Sequence, residues 1–398
     1  MKNLSLKLFL EIAGSTYVFF VCEIDEQNNC KIVYKLEIPL KGINNCKVSD
    51  FDTAFSSIKE SIFKIEQNFN RTFKEIILIL ENFDSSFVNI AGYKKLNSSQ
   101  ILRENITYIL NSLKSYIDET EKKKYILHIF NSKFQLDNKK IDNLPIGLFG
   151  DFYSHELSFI LINSNDFKNL NNIFERCNLK VKKILTKSFI KGANISNNYK
   201  NTESFFHIKM SNNNSKIFYF ENNSLKSEEI FKFGTDIIVS DISKITALKI
   251  ETVKTILGQI EFEENISESE LIDTELLSEE RNNKVKKKLI YDIILARLEE
   301  IAELIIFDNI NFNYYNKNSK VIFLEIDSAL KFNGIKDIFE KVFSCNGTFE
   351  LIVIKDLSND KMINTINQLV HFGWKKEAIP ITLSKKSIIA RFFDTIFG

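Results

Sequence analysis

Glycine and proline are scarce in this chain, at 12 and 3 of 398 residues, where about 7% and about 5% would be ordinary. That excludes collagen-like, proline-rich and glycine-rich disordered classes, and it argues against any function built on many glycine loops. The five cysteines, Cys22, Cys30, Cys46, Cys177 and Cys345, are odd in number and lack CxxC spacing. They read as free thiols in a reducing compartment. The four histidines, His128, His155, His207 and His371, stand far apart, without metal-ligand spacing. Charge of one sign is absent too: 53 basic against 52 acidic residues leave a net +1, so nucleic acid is not an expected partner. No apolar run approaches the roughly 18 residues of a membrane span. Lys7 and Glu11 interrupt the first apolar stretch, which reads as a strand and not as a signal peptide.

What is present is a chain with 44% hydrophobic residues, long enough for two to three domains. Alternation predicts strands at Leu6–Ile12 and Tyr17–Ile24 around the turn Ala13-Gly14-Ser15-Thr16, and a third near Lys31–Ile38. Ser49 with Asp52 resembles a capping box opening a helix with the stripe Phe51, Ala54, Phe55, Ile58, Ile62, Ile65. A strand at Glu75–Leu80 closes the unit, an α/β layered arrangement. A helix near Ser99–Tyr116 and strands at Tyr125–Phe130 and Glu156–Ile162 follow, around a turn-rich segment holding Pro145, Gly147 and Gly150. After a linker at Ser196–Ser204, strands Phe205–Met210 and Lys216–Phe220 flank Ser211–Ser215 and repeat the opening pattern of strand, turn and strand. Helices are expected at Asp236–Leu248, Ile250–Leu257, Lys287–Phe307, Ile335–Phe343 and Asp360–Phe372, with strands at Lys320–Ile326 and Glu350–Ile354.

Four segments stand out: Leu127-His128 with Phe134, Leu136-Asp137, Pro145, Gly147 and Gly150; the stretch from Ile38 to Ile62; Ile250-Glu251-Thr252-Val253-Lys254; and Ala296 to Ile301 with Arg297 and Glu300. Together they resemble the bacterial cell-division protein family FtsA. The resemblance implies a two-lobed actin-like (actin/Hsp70) α/β fold with an inserted 1C-type subdomain. In that frame residues 1–80 and 164–200 form subdomain 1A, 81–163 the insert 1C, 201–234 and 311–383 subdomain 2A, and 235–310 subdomain 2B.

The terminal segment 384–398 carries its own physics. Ile388, Ile389, Phe392, Phe393, Ile396 and Phe397 fall on one helical face, with Lys385, Lys386 and Arg391 among the rest. Such a helix suits a membrane surface, and equally a terminal helix packed on the core or a dimer face. The family resemblance implies membrane targeting. One short helix of this kind binds reversibly, because ordering a free tail offsets much of the roughly 1.5–3 kcal/mol per buried side chain. Several tails on one polymer add avidity.

In the family two glycine-rich turns hold the phosphates of ATP. The matching first turn here is Glu11 to Thr16, with Gly14, Ser15 and Thr16 as candidate contacts, and the second is His207 to Asn214, with neither glycine nor acid. Glycine lets backbone N–H groups approach phosphate closely, and a histidine suits Mg²⁺ poorly. Gly234, Glu251 and Lys254 match the remaining nucleotide positions, and Gly334 is the only glycine left in the third turn. Glu251 and Lys254 read equally as a surface ion pair. The expectation is weak or lost ATP binding and no useful ATPase, hence no enzyme. The resemblance implies a tether: FtsZ captured by its C-terminal peptide at a surface including Arg297 and Glu300, self-assembly, later divisome proteins, and a peripheral place on the cytoplasmic face of the inner membrane at the septum. A PilM-type pilus-assembly adaptor is the alternative, and an ATP-dependent enzyme of the superfold ranks last.

Overall fold

The computed structural model describes residues 5–44, 47–199, 202–260, 262, 266–278, 280, 284–317, 319–326, 335–344 and 348–378. Cys46, Cys345, Gly334 and the whole segment 384–398, with Lys385, Lys386, Ile388, Ile389, Arg391, Phe392, Phe393, Ile396 and Phe397, lie outside them.

The chain opens on an antiparallel meander, β1 (Ser5–Ile12), β2 (Thr16–Ile24) and β3 (Cys30–Pro39). A short pair, β4 (Ile43–Asn44) and β5 (Lys47–Val48), leads into α1 (Phe51–Phe69) and β6 (Glu75–Leu80). Next come β7 (Ser85–Gln100), α2 (Arg103–Thr120), β8 (Lys124–Leu136), β9 (Lys139–Ile141) and β10 (Phe149–Asn163). The chain continues through α3 (Ser164–Arg176), β11 (Lys180–Thr186) and α4 (Lys187–Asn198). The second half starts with another meander, β12 (Phe205–Met210), β13 (Ser215–Glu221) and β14 (Ser224–Phe231). Four helices follow, α5 (Asp236–Thr246), α6 (Ile250–Gln259), α7 (Lys287–Ala302) and α8 (Ile310–Tyr315), with a π-helical turn Glu303–Phe307 after α7. The described part ends through β15 (Val321–Ile326), α9 (Ile335–Phe343), β16 (Glu350–Ile354) and α10 (Asn359–His371).

Two of the sheets are copies in topology. One runs β11-β6-β1-β2-β3 and the other β16-β15-β12-β13-β14. In each, a meander contributes three antiparallel strands, and two later strands add in parallel to the meander's first strand. Parallel strands need helical crossovers, which is where α1, α3, α9 and the α5–α8 group sit. A third, antiparallel sheet, β7-β10-β8-β9, lies in the chain between β6 and α3.

Between the duplicated sheets a core joins Phe9, Phe20 and Ile79 to Phe205, Phe220 and Phe323, with Phe189 and Ile190 of α4 and Ile363 and Ile366 of α10 filling the space. The approach of α4 to β13 is so close that a Cβ on Gly192 would stand 2.0 Å from the Phe220 ring. That glycine sets the depth of α4 and hence the reach of its lysines.

After α10 the chain returns to the third sheet. Asn131 N donates to Lys376 O at 2.6 Å and Ala378 N to Ile129 O at 2.8 Å, an antiparallel bridge on β8. Trp374 Nε1 donates to Asn223 O of the β13–β14 turn at 2.7 Å. Glu377 accepts from Lys183 Nζ of β11 at 2.7 Å and stands 3.1 Å from His128 Nδ1 of β8. One five-residue strap thus touches all three sheets.

Several boundaries differ from the sequence reading. The helix expected at Ser99–Tyr116 begins at Arg103, because β7 occupies the residues before it. The α1 cap is Asp50, whose side chain accepts from Thr53 N, and not Ser49. The expected linker begins inside α4, which runs to Asn198. Strands β4, β5, β7, β9 and β14 and helix α8 are additions.

Candidate functional site

The two meander turns come first. In the β1–β2 turn Ala13 N donates to Thr16 O at 3.0 Å, and Gly14 and Ser15 are exposed. A Cβ on Gly14 would meet nothing nearer than Asn82 Nδ2 at 3.5 Å, an ordinary contact. In the β12–β13 turn Ser211 N donates to Asn214 O at 2.9 Å. Gly234 is different: a Cβ there would lie 2.1 Å from Ser211 O and 2.5 Å from Asn212 O. Its bareness lets Thr235 N donate to Ser211 O and Asp236 N to Asn212 O, each at 2.9 Å. Helix starts carry free N–H groups that suit a phosphate. At α5 the second turn's carbonyls take Thr235 N and Asp236 N, and Ile237 N and Ile238 N bond to Gly234 O and Thr235 O.

Charged side chains fill the space beside these turns. On α4, Lys187 and Lys191 are one helical turn apart and share a face. Lys187 Nζ lies 2.6 Å from Glu11 Oε1 and 3.0 Å from Glu81 Oε2. Lys191 Nζ reaches both oxygens of Glu325 at 2.7 Å and Asp356 Oδ1 at 2.9 Å. Glu325 also faces His207 Nε2 at 3.2 Å and Lys209 Nζ at 3.5 Å. Beside them Ser188 Oγ donates to Glu228 Oε2 at 2.5 Å, and Lys216 Nζ stands 3.7 Å from Glu228 Oε1.

The electrostatics follow from burial and pairing. Burial works to raise the Glu325 pKa, but the His207 hydrogen bond and the Lys191 and Lys209 charges overcome it and hold the carboxyl well below the usual range. Burial works to lower Lys187, and the Glu81 and Glu11 carboxylates push it above its ordinary value instead. For His207 burial wins over the Glu325 contact and keeps the ring neutral. A neutral ring facing a carboxylate carries its proton on Nε2, and its Nδ1 is buried without a partner among the described residues. The open volume left among these groups is about 20 Å³, space for about one water, against the roughly 300–1,000 Å³ of a small-ligand pocket.

The structure brings Glu11, Lys209 and His207 together at this cleft, with Gly14, Ser15, Thr16 and Gly234 in or against its two turns. It does not add Glu251 and Lys254, which are exposed on α6 and absent from the cleft lining. Arg297 of α7 pairs with Asp241 Oδ2 of α5 at 2.5 Å and with Glu300 Oε2. Sequence reasoning missed Lys187, Lys191, Glu228, Glu325 and Asp356. A signal existed for one of them: LFLEI ending β1 and IFLEI ending β15 each place an acid before the last apolar residue, at Glu11 and Glu325. Among the described residues no group of acidic, histidine or cysteine side chains is arranged to hold a metal ion, and no helix is long and apolar enough to cross a membrane.

No family model matches the sequence. The cell-division protein FtsA of Buchnera aphidicola subsp. Acyrthosiphon pisum is 22% identical, over 100% of this chain and 96% of its own length. FtsA of Neisseria meningitidis serogroup B is 18% identical over 84% of this chain and 81% of its own. Among solved structures, the PilM-PilN type IV pilus biogenesis complex gives a TM-score of 0.48 at 8% identity, over 92% of this chain and 95% of the other. MreB5 of Spiroplasma citri bound to ADP gives 0.43 at 10% identity, over 91% and 94%. Over its full length the chain is similar to FtsA, and its two duplicated meander sheets agree with the two-lobed α/β plan which that resemblance implies.

Proposed function

We propose that this chain is an FtsA-like cell-division protein that acts by tethering and not by turning over nucleotide. In this reading the actin-like body self-assembles and captures the C-terminal peptide of FtsZ at a surface including Arg297 and Glu300. The segment 384–398 holds the polymer on the cytoplasmic face of the inner membrane at the septum, where later divisome proteins join.

The single observation behind the lost nucleotide site is the filled cleft. Phosphate between the two turns would need backbone N–H donors and a cavity. Thr235 N and Asp236 N at the start of α5 are bonded to Ser211 O and Asn212 O, and Lys187, Lys191, Glu11 and Glu325 occupy the space. Phosphoryl transfer also needs a metal and preorganised donors, which supports the absence of ATPase activity. Titration with a fluorescent ATP and Mg²⁺ tests this. No saturable signal in the micromolar range is expected, and Mg²⁺-dependent micromolar binding overturns it.

The membrane part rests on the apolar spacing of residues 388–397 and on the likeness to FtsA. Liposome co-sedimentation of the full chain against a chain ending at Leu383 tests it. The full chain is expected in the pellet and the shortened one in the supernatant; equal pelleting defeats the reading.

A further inference from the structure

A cavity lies away from the cleft, between the third sheet and the strap after α10. Its volume is about 530 Å³, within the range of small-ligand pockets. Lys133 of β8, Lys140 of β9 and Lys375 and Lys376 of the strap line it, together with Asp142 and Glu203.

What sets these four lysines apart is how little neutralises them. Among the described residues, none of them makes an ion pair within 4 Å, whereas the lysines of the cleft are all bound to carboxylates. Their contacts are neutral: Lys140 Nζ donates to Asn222 Oδ1 and Lys376 Nζ to Asp142 O, each at 3.0 Å. Lys376 Nζ also lies 5.1 Å from the Phe134 ring and Lys375 Nζ 5.5 Å from the Trp374 ring. Burial holds Lys376 below the ordinary lysine value, partly opposed by Glu203. Ammonium groups that line one concave, partly desolvated site repel one another, and the Lys375 and Lys140 charges add to the lowering of Lys376. A bound anion relieves that repulsion, and an anion of more than one charge relieves it best.

We propose that this cavity binds a small phosphate ester carrying hydroxyl groups, with the lysines on the phosphate and Asp142 and Glu203 accepting from the hydroxyls. Lysine acts on phosphate as a point charge with three donors, and the two carboxylates reject a ligand that is anionic throughout. The chemistry is shared by a soluble glycerol phosphate and by a phosphoglycerol lipid headgroup. The site stands whether or not residues 384–398 bind a membrane.

Trp374 is the only tryptophan in the chain, and it precedes Lys375 on the cavity wall, so its fluorescence reports this site. The full chain is titrated with sn-glycerol 3-phosphate, and separately with dihexanoyl-phosphatidylglycerol and dihexanoyl-phosphatidylcholine below their micelle concentrations. A saturable change with glycerol 3-phosphate is expected, at least about tenfold weaker in the Lys133→Gln/Lys140→Gln variant. Saturation at similar concentration with both phosphoglycerol compounds identifies the soluble ester as sufficient. Tenfold tighter binding of the phosphatidylglycerol alone identifies a lipid headgroup. Lys375→Gln, at an exposed residue, provides a second variant if the double one melts early. The proposal is overturned if neither phosphate compound saturates, if phosphatidylcholine matches phosphatidylglycerol, or if folded variants bind as the parent does.

Discussion

Lys191 of α4 and Glu325 of β15 form a two-oxygen ion pair, both distances 2.7 Å, with less than a tenth of either side chain exposed. They stand 134 positions apart in the chain. Buried charges that lose a partner are costly, whereas replacing both by apolar groups of similar size is often neutral. We expect Glu325→Ala to cost about 3–5 kcal/mol in urea unfolding, and Lys191→Met with Glu325→Leu to recover most of it. A double variant as unstable as the single one would contradict this.

Two glycines separate shape from sequence habit. Gly234→Ala places a methyl group 2.1 Å from Ser211 O, and forced close packing of this kind costs about 1–3 kcal/mol. Gly14→Ala meets only an ordinary contact and is expected to stay within about 0.5 kcal/mol, as surface changes do. Paired thermal melts check the contrast, which fails if both variants behave alike.

Acid should weaken the fold through its buried histidines. Burial lowers His128 and His207, and lowers His155 to about 4, with the Lys376 charge adding to the last. A depressed histidine contributes stability in full above the unfolded value near 6.5, and that contribution is lost as pH falls, because the unfolded chain takes the proton first. For His155 the window runs from about pH 6.5 down to about 4, at about 1.4 kcal/mol per pH unit. Unfolding measured from pH 7.5 to 5 should therefore show falling stability, with a shallower slope in His155→Gln. An unchanged slope would count against it.

The strap offers a local test. Trp374→Phe keeps the ring contact with Phe189 but removes the indole donor to Asn223 O. An unsatisfied buried carbonyl costs about 1–3 kcal/mol. Hydrogen exchange at Asn131 N and Ala378 N should rise in the same variant, and exchange confined to residue 374 would limit the strap to a side-chain contact.

Much of the framework was legible in the residues themselves. The paired strand-turn-strand openings showed because Phe9, Phe19, Phe20, Phe205, Phe206 and Phe218 sit in short apolar runs around polar turns. Two of the edge strands, β7 and β14, did not show. Strand β7 reads SSFVNIAGYKKLNSSQ, and only Leu96 in it is buried; β14 reads SLKSEEIF and buries Lys226. Solvent-facing edges tolerate charge, so their alternation of apolar and polar residues is blurred. The cleft was half legible. Glu11 and His207 stood out as wrong for phosphate, but their true partners, Lys187 and Glu325, are joined to them only by the fold.

The strap also decides where a mechanical load enters. A pull on the chain beyond Ala378 meets first the two backbone hydrogen bonds to β8 and the grip of His128 and Lys183 on Glu377. Helix α10 lies behind that joint, shielded from the force. Tension at the end of the described chain is therefore delivered to the four-stranded sheet, and through Lys183 to β11, before it reaches the second half of the molecule.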